Sequence, residues 1–518
     1  MGGTTRFWRM TVCIAGFAAA CGLVQPAAFG QATWNGSQSG SWANQLNWSG
    51  TSAANLVNGG TSALVFAGGV QLSTTNTLNN FLASALTFDA TAGNFTLSGS
   101  SIRLSTFVTN NAANSSQTID LGISITGPSR QFTGVSTSTT TYLGNISGVG
   151  GGISYRTTSG STSVHIVSGS NSYTANTAIA TAIVVVNNLK ALSSGTIDFS
   201  SSGMLRSNLD LTGANKLTNA AVTFAATNNR ANFAGANSIE FAAALRANGN
   251  STVANELDAG KSLTFNGALA SGAVATGTLT FTGAGQTLIA GNAIDNAGFT
   301  LALAKTGAGA LVLSGTNTYS GATTVTAGSL FVNGDSSNAL GALTVSSTAI
   351  LGGAGSIGAA TTVSGTLTAG SQVNAIGLFT FTNSLTLNSS SRTLLEISGA
   401  GRGTGYDAID VASMVLGGAL DLSFGSLVSG TFNLFNAGGA LSKTGNFSSV
   451  TSSGSYATSW GRTGETWSAT VGATNLSFDQ ATGTLVIVPE PGTVSLLGAG
   501  LAIVVWIGRR RVTARAVA

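Results

Sequence analysis

Two pairs of carboxylates are the residues of this chain whose types and spacing best suit acid–base chemistry. Glu256 and Asp258 are two positions apart, so on a β-strand both point to one face, and Lys261 follows closely. Asp407 and Asp410 are three apart and point to opposite faces. Enzymes that cleave polysaccharides need two carboxylates on one face. Glu256 and Asp258 are therefore the candidate catalytic pair, although we favour a solvated charged turn.

Other residue patterns that carry chemistry are missing from the sequence. His165 is the only histidine, and no carboxylate or nucleophile motif adjoins it. Zinc-ligand spacing, calcium-binding repeats and hydrolase serine motifs are absent. Gly353, Gly355 and Gly358 have dinucleotide-binding spacing, but a strand follows them where that site needs a helix. We expect no metal, no cofactor and no catalytic residue.

Three tryptophans, Trp34, Trp42 and Trp48, lie close together near the start of the chain that follows the leader. Their first interpretation is an apolar cap over the first turn of a repeat structure, because a terminal repeat needs a distinct face. The alternative is a platform on which carbohydrate rings stack. The spacing of the tryptophans does not separate these two interpretations.

Residues 1–30 have the layout of a secretory signal peptide, because Arg6 and Arg9 precede the apolar stretch 10–24 and small residues follow. This predicts an N-terminal signal helix, export through the Sec translocon and removal of the leader. Lipoprotein processing at Cys21 is an alternative, but the residue three positions before that cysteine is a small alanine.

The other end of the chain predicts a membrane helix at residues 492–508. At about 1.5 Å per residue this apolar segment reaches roughly 25 Å, close to the lower limit for crossing a bilayer. Arg509, Arg510 and Arg511 follow it and should stay on the cytoplasmic side. Everything before the helix would then lie across the membrane.

Pro489, Glu490 and Pro491 stand directly before this helix. The order of motif, short helix and basic cluster resembles the PEP-CTERM sorting signal of Gram-negative bacteria. The resemblance implies recognition by an exosortase, which removes the helix and releases or transfers the protein outward. A plain C-terminal anchor after a stiff proline linker is the alternative.

Removing both ends changes the charge of the chain. Six of the 20 basic residues lie in the ends, which leaves 14 basic against 15 acidic residues between positions 31 and 488. A nearly neutral body cannot neutralise phosphates, so nucleic-acid binding is not expected. Cys13 and Cys21 leave with the leader, so the mature chain should contain neither disulfides nor reactive thiols.

The body alternates apolar and polar residues in short runs, such as 63–66, 84–88 and 277–281, each ended by Gly, Asn or Ser. This pattern is typical of short strands separated by turns. Windows with helical periodicity are nearly missing. The sequence therefore predicts an all-β fold.

Internal repetition selects among all-β architectures. The stretches 168–187 and 314–333 align without a gap. The clearest copy, 303–332, resembles the autotransporter-associated β-strand repeat, which implies a right-handed parallel β-helix. In such a rod Leu311 and Leu313 point inward. Autotransporters continue into a membrane translocator domain, whereas a sorting helix is expected at that place in this chain. The resemblance therefore concerns their passenger region only.

These observations divide the chain into a signal peptide (1–30), a β-helix with repeats (31–350), a C-terminal β subdomain (351–486) and a sorting signal (487–518). At about 20–25 residues per turn the body would form about 18–23 turns.

The sequence as a whole favours a non-enzymatic protein, anchored briefly in the inner membrane and then placed at the cell surface or outside the cell. Its expected partners are an exosortase, the Sec translocon and extracellular polysaccharide, as in a biofilm. A carbohydrate-binding adhesin is the alternative. A polysaccharide lyase or hydrolase that uses Glu256 and Asp258 is the third hypothesis.

Overall fold

A computed structural model describes residues 30–158, 162–271, 277–295, 300–436 and 442–489. These residues are almost entirely strands and turns, which confirms the all-β prediction. Three single-turn 3-10 helices interrupt them, at Gln45–Asn47, Ala53–Asn55 and Gly213–Asn215.

Neither predicted terminal helix can be compared with this structure, because the leader before Gly30 and the sorting segment 492–508 lie outside the described residues. Within the described ranges, no helix combines the length and the hydropathy needed to cross a membrane.

The strands are numbered in chain order. The first group is β1 (Gln31–Trp34), β2 (Trp48–Ser49), β3 (Thr61–Phe66), β4 (Ser73–Asn76), β5 (Phe81–Phe88), β6 (Thr96–Gly99), β7 (Ile102–Leu104), β8 (Phe107–Asn110), β9 (Ser116–Ile119), β10 (Ile123–Ile125), β11 (Arg130–Gly134), β12 (Thr139–Tyr142), β13 (Ile146–Ser147), β14 (Ile153–Thr157), β15 (Val164–Val167), β16 (Thr177–Ile179), β17 (Ile183–Val186) and β18 (Ile197–Phe199). The second group is β19 (Met204–Ser207), β20 (Ala221–Phe224), β21 (Asn229–Gly235), β22 (Ile239–Phe241), β23 (Ala244–Ala247), β24 (Ser251–Leu257), β25 (Ser262–Phe265), β26 (Leu269–Ser271), β27 (Gly277–Gly283), β28 (Gln286–Ile289), β29 (Ala293–Ile294), β30 (Leu301–Lys305), β31 (Ala310–Leu313), β32 (Thr323–Val325), β33 (Gly328–Val332), β34 (Asp335–Ser336) and β35 (Leu343–Val345). The third group is β36 (Ala349–Gly352), β37 (Ser356–Ile357), β38 (Thr361–Val363), β39 (Thr366–Thr368), β40 (Leu378–Leu387), β41 (Arg392–Ile397), β42 (Ala408–Leu416), β43 (Ala419–Phe424), β44 (Gly430–Asn433), β45 (Phe435–Asn436), β46 (Lys443–Gly445), β47 (Ser449–Gly454), β48 (Thr458–Ser459), β49 (Gly461–Thr463), β50 (Thr466–Val471), β51 (Thr474–Asp479) and β52 (Thr484–Pro489).

Strands of successive turns stack in parallel and form a right-handed solenoid of about 15 turns. The spacing between paired residues varies along the rod. Thr323 pairs with Leu343, 20 residues later, whereas Leu385 pairs with Met414, 29 residues later. The predicted 18–23 turns were therefore too many, because some turns are longer than 25 residues and both ends of the chain pair differently.

The interior consists of columns of apolar side chains that repeat from turn to turn. Leu311 and Leu313 are buried, as predicted. Phe241 and Phe265 pair in register, and their rings stack at 5.1 Å. Full burial of one such side chain stabilises the fold by about 1.5–3 kcal/mol.

Both ends of the rod depart from parallel pairing. At the start, β1 pairs in parallel with β3 but antiparallel with β2. At the end, β44 and β49–β52 form an antiparallel sheet. Phe478 of this sheet contacts Phe435 and Phe447 at 6.2 and 6.3 Å and joins it to the last turns. The parallel ladder continues through position 351, and the proposed domain boundary there stays a prediction.

Two asparagines of the repeat complete the first sheet where its strand ladder stops at β13 and β29. The amide N–H of Ile146 donates to Oδ1 of Asn171 at 2.7 Å, and that of Ala293 donates to Oδ1 of Asn317 at 2.8 Å. Each asparagine also donates from Nδ2 to the next turn. The side-chain amide thus takes the place of a missing strand.

We expect Asn317→Ala to lower the free energy of unfolding by about 1–3 kcal/mol, because the buried N–H of Ala293 loses its acceptor. Urea unfolding measures the loss, and hydrogen exchange should become faster at the Ala293 amide. The matched control is Asn176→Ala, an exposed asparagine whose side chain makes no hydrogen bond among the described residues. Unchanged exchange at Ala293 would contradict the role of Asn317.

Candidate functional site

The structure brings Trp34, Trp42 and Trp48 together in one aromatic cluster with Phe66. The Trp34 and Trp48 rings lie 5.0 Å apart, and Trp42 lies 5.6 Å from Phe66. Only 2%, 0% and 5% of Trp34, Trp42 and Trp48 are exposed. A sugar needs an open ring face for stacking, and this arrangement leaves none of the three open.

The same segment covers the first strand edge of the second sheet. The amide of Trp42 donates to the Thr75 carbonyl of β4 at 3.0 Å, and the amide of Thr75 donates to the Gly40 carbonyl at 2.8 Å. The Trp42 indole Nε1 donates to Thr74 Oγ1 at 2.9 Å. The cap interpretation of the three tryptophans stays a prediction.

We expect Trp42→Ala to lower the free energy of unfolding by about 3–5 kcal/mol, because it leaves a cavity beside Trp48 and Phe66 and removes the indole that bonds to the Thr74 hydroxyl. Exposure of the β4 edge should also promote self-association, which light scattering measures. Leu46→Ala is the control, since Leu46 lies in the same segment and is 68% exposed. Equal stability of the two variants would contradict the cap.

The candidate catalytic pair does not form one site in the structure. Glu256 is exposed on β24, and Asp258 lies beyond the end of that strand. Lys261 donates its backbone N–H to the Asp258 carbonyl at 3.0 Å, as in a turn. Asp258 and Lys261 line a shallow hollow of about 460 Å³, whereas Glu256 does not. The hollow therefore contains one carboxylate, where glycoside hydrolysis needs two.

Asp407 and Asp410 have structural contacts. Asp407 is buried and accepts hydrogen bonds from the amides of Gly377 and Glu396 at 2.8 and 2.9 Å. Burial raises the pKa of Asp407 to about 7. Asp410 forms an ion pair with Arg402 at 2.7 Å. In the described ranges, no three potential metal ligands lie together.

His165 is buried in the interior between two hydroxyl groups. Its Nδ1 lies 3.3 Å from the Tyr142 hydroxyl, and its Nε2 lies 3.2 Å from Ser163 Oγ. Burial lowers the pKa of His165 to about 4, so the ring is neutral at physiological pH. A neutral, fully enclosed imidazole has its hydrogen-bond partners inside the core and has no access to a substrate.

His165 should make folding sensitive to acid. Between pH 6.5 and about 4 the unfolded chain binds a proton at this residue and the folded chain does not, so stability falls as the pH is lowered. We expect the wild type to lose about 3 kcal/mol across this window relative to His165→Asn. The measurement is urea unfolding of both proteins at several pH values.

The difference between the two proteins isolates His165, because both contain Asp407, whose effect on stability has the opposite sign and cancels in the comparison. Its raised pKa means that the folded state retains a proton up to about pH 7, so its contribution is lost as the pH rises. A difference between wild type and variant that does not change with pH would contradict the prediction for His165.

Of the residues predicted to form the sorting signal, Pro489 lies within the described part of the chain. Pro489 is the last residue of β52 and pairs with Thr474 of β51. Glu490, Pro491 and the basic cluster of Arg509, Arg510 and Arg511 lie outside the described residues. The predicted sorting motif therefore begins where the antiparallel sheet ends.

Sequence reasoning missed Lys305, a buried cation inside the repeat. Its Nζ donates to the carbonyls of Thr306, Gly307 and Ala327 at 2.7, 2.7 and 3.2 Å. Burial lowers the pKa of Lys305 to about 8. A Cβ at Gly328, whose φ is +69°, would lie 2.6 Å from Nζ. The inward position of Lys305 in the alternation of β30 was the available signal.

These features define a parallel β-solenoid with a passenger-type repeat. Residues 303–331 match the family model described as Passenger-associated-transport-repeat, which confirms the repeat predicted at 303–332. A stretch of 71 residues, 13% of this chain, is 42% identical to the Adhesin BmaC autotransporter of Brucella suis biovar 1 (strain 1330). The match covers 2% of that protein's length. Fold and repeat together fit an exported surface protein.

Proposed function

We propose that this protein is an exported, non-enzymatic rod of the cell surface or extracellular matrix, associated with extracellular polysaccharide in a biofilm. The observation that carries the proposal is a passenger-type repeat built into a continuous parallel solenoid. A solenoid of this kind offers a long, extended surface for binding. Its nearly neutral charge suits contact with hydroxyl-rich polymers more than with polyanions.

The proposed route to the surface uses both ends of the chain. The leader 1–30 would direct the chain to the Sec translocon, and the motif Pro489, Glu490 and Pro491 would be recognised by an exosortase in the inner membrane. The support is the sequence of the two ends together with the position of Pro489 at the end of the last strand.

The second candidate function is an adhesin with a defined carbohydrate ligand. It is favoured by the likeness to a protein named as an adhesin. The buried tryptophans give it no stacking platform, so its contact surface would lie along the outward faces of the sheets. The enzyme hypothesis has less support, because Glu256 and Asp258 do not line one hollow.

The route predicts that protein recovered from the cell surface or medium lacks residues 1–30 and the segment 492–508. Replacing both Glu490 and Pro491 by Ala should retain the intact chain in the membrane fraction, because the cleavage motif is lost while β52 keeps its pairing. Mass spectrometry of both fractions measures the outcome.

The control for this experiment is Val488→Ala, an exposed neighbour in β52 outside the motif. Release of an intact tail in the Glu490 and Pro491 variant, or a wild-type chain that keeps Arg509, Arg510 and Arg511 in the membrane, would contradict sorting by an exosortase.

A further inference from the structure

A polar groove crosses four consecutive turns on the outer face of the first sheet. Its volume is about 540 Å³, within the range of small-ligand sites. Its hydroxyl and amide groups come from Ser101, Ser124, Asn145, Ser147, Ser170 and Ser172. Residues that are far apart in the sequence are therefore brought onto one surface by the stacking of turns.

Strand register arranges these groups in rows along the rod. Ser124 of β10 pairs with Ser147 of β13, and the amide of Ser172 donates to the adjacent Ile146 carbonyl at 2.9 Å. Neighbouring strands lie about 4.8 Å apart, so the hydroxyls recur at that interval. A Cβ at Gly122 would lie 2.4 Å from Ser101 Oγ, so glycine keeps the floor of the groove free.

The serine hydroxyls of this groove have no hydrogen-bond partner within the described part of the chain. Elsewhere on the rod, some outward hydroxyls bond to a neighbouring turn, as Ser98 does to Thr75 at 3.3 Å and Ser364 to Asn388 at 2.7 Å. The groove thus presents donors and acceptors that only solvent or a ligand can use.

The backbone of the groove cannot receive a peptide as an added strand. The N–H and C=O groups of β10 are paired with β7 on one side and β13 on the other. Beyond β13 the side chain of Asn171 and the amide of Ser172 occupy the sheet edge. Recognition by strand addition needs an open edge, so a ligand must contact side chains.

The charge and the apolar contacts of the groove point to one class of ligand. Asp120 is its single carboxylate, and Arg103 pairs in register with Ser124 beside it. Leu143, which is 44% exposed, adds an apolar surface to the lining. Repeated hydroxyl and amide groups, one apolar contact and almost no net charge suit the hydroxyls and C–H faces of a sugar chain.

We propose that this serine groove binds an extended, uncharged polysaccharide chain that lies along the rod axis. The proposal rests on the proposed association with extracellular polysaccharide and names the surface responsible. Each turn would contribute one or two hydroxyl or amide groups to a successive sugar residue, so binding would be weak per contact and would grow with chain length.

The test uses the complete chain and three immobilised probes, namely hydroxyethyl cellulose, galactomannan and the polyanion alginate. We expect the wild type to bind at least one neutral probe and to bind alginate more weakly. Replacing Ser124 and Ser147 by Leu fills the groove and should weaken neutral binding at least tenfold. Replacing Ser124 and Ser147 by Ala removes the hydroxyls without adding volume and should weaken binding to the neutral probe about threefold or more.

Ser154→Leu is the matched control, because Ser154 is an equally half-buried, outward serine of β14 in the same sheet but outside the groove. Its affinity should stay within twofold of the wild type, and circular dichroism checks the fold of every variant. Wild-type affinity in the Ser124 and Ser147 variants would overturn the assignment of binding to the serine groove, while the proposed association with polysaccharide would stand. Binding to alginate alone, or to no probe, would overturn the proposal that the serine groove binds an uncharged polysaccharide. This result is independent of whether the chain is exported and processed.

Discussion

The structure depends on one constraint, which is that the backbone of every turn must pair in parallel with the turns before and after it. Parallel pairing uses all N–H and C=O groups of a central strand only if the strands remain in register. Side chains at equivalent positions then stack in columns, inside as in Phe241 over Phe265 and outside as in Ser124 beside Ser147. The small number of charged residues fits this arrangement, because like charges directly opposite each other in such a column are destabilising.

The same ladder creates strand edges, and different residues cover several of them in the described part of the chain. Tryptophans enclose the first turns, where the segment around Trp42 pairs with β4. Asn171 and Asn317 end the first sheet inside the rod. The antiparallel strands β49–β52 follow the last parallel turns, and β52 ends at Pro489. An unclosed edge would be a template for pairing with another chain.

The sequence predicted the strand pattern and the repeat, because alternation and the spacing of Asn and Gly are local signals. Leu311 and Leu313 are buried for that reason. Lys305 was missed because an inward cation breaks the alternation rule and is satisfied by carbonyls of three other residues. The groove could not be predicted, since Ile102 and Ile123 are paired across 21 residues and Ile123 and Ile146 across 23. Variable turn lengths hide which serines become neighbours.

Two buried groups give the rod opposite responses to pH along its length. His165, in the first half of the chain, favours the folded state as the pH rises from about 4 to 6.5. Asp407, near the C-terminal end, loses its contribution as the pH rises from 3.8 to about 7. In a solenoid each turn is stabilised mainly by its neighbours, so these effects remain local. Acidification therefore weakens the turns around His165 while it strengthens those around Asp407. The serine groove includes Ser170 and Ser172, which follow His165 closely in sequence, so one side of the groove lies beside the turn that acid destabilises.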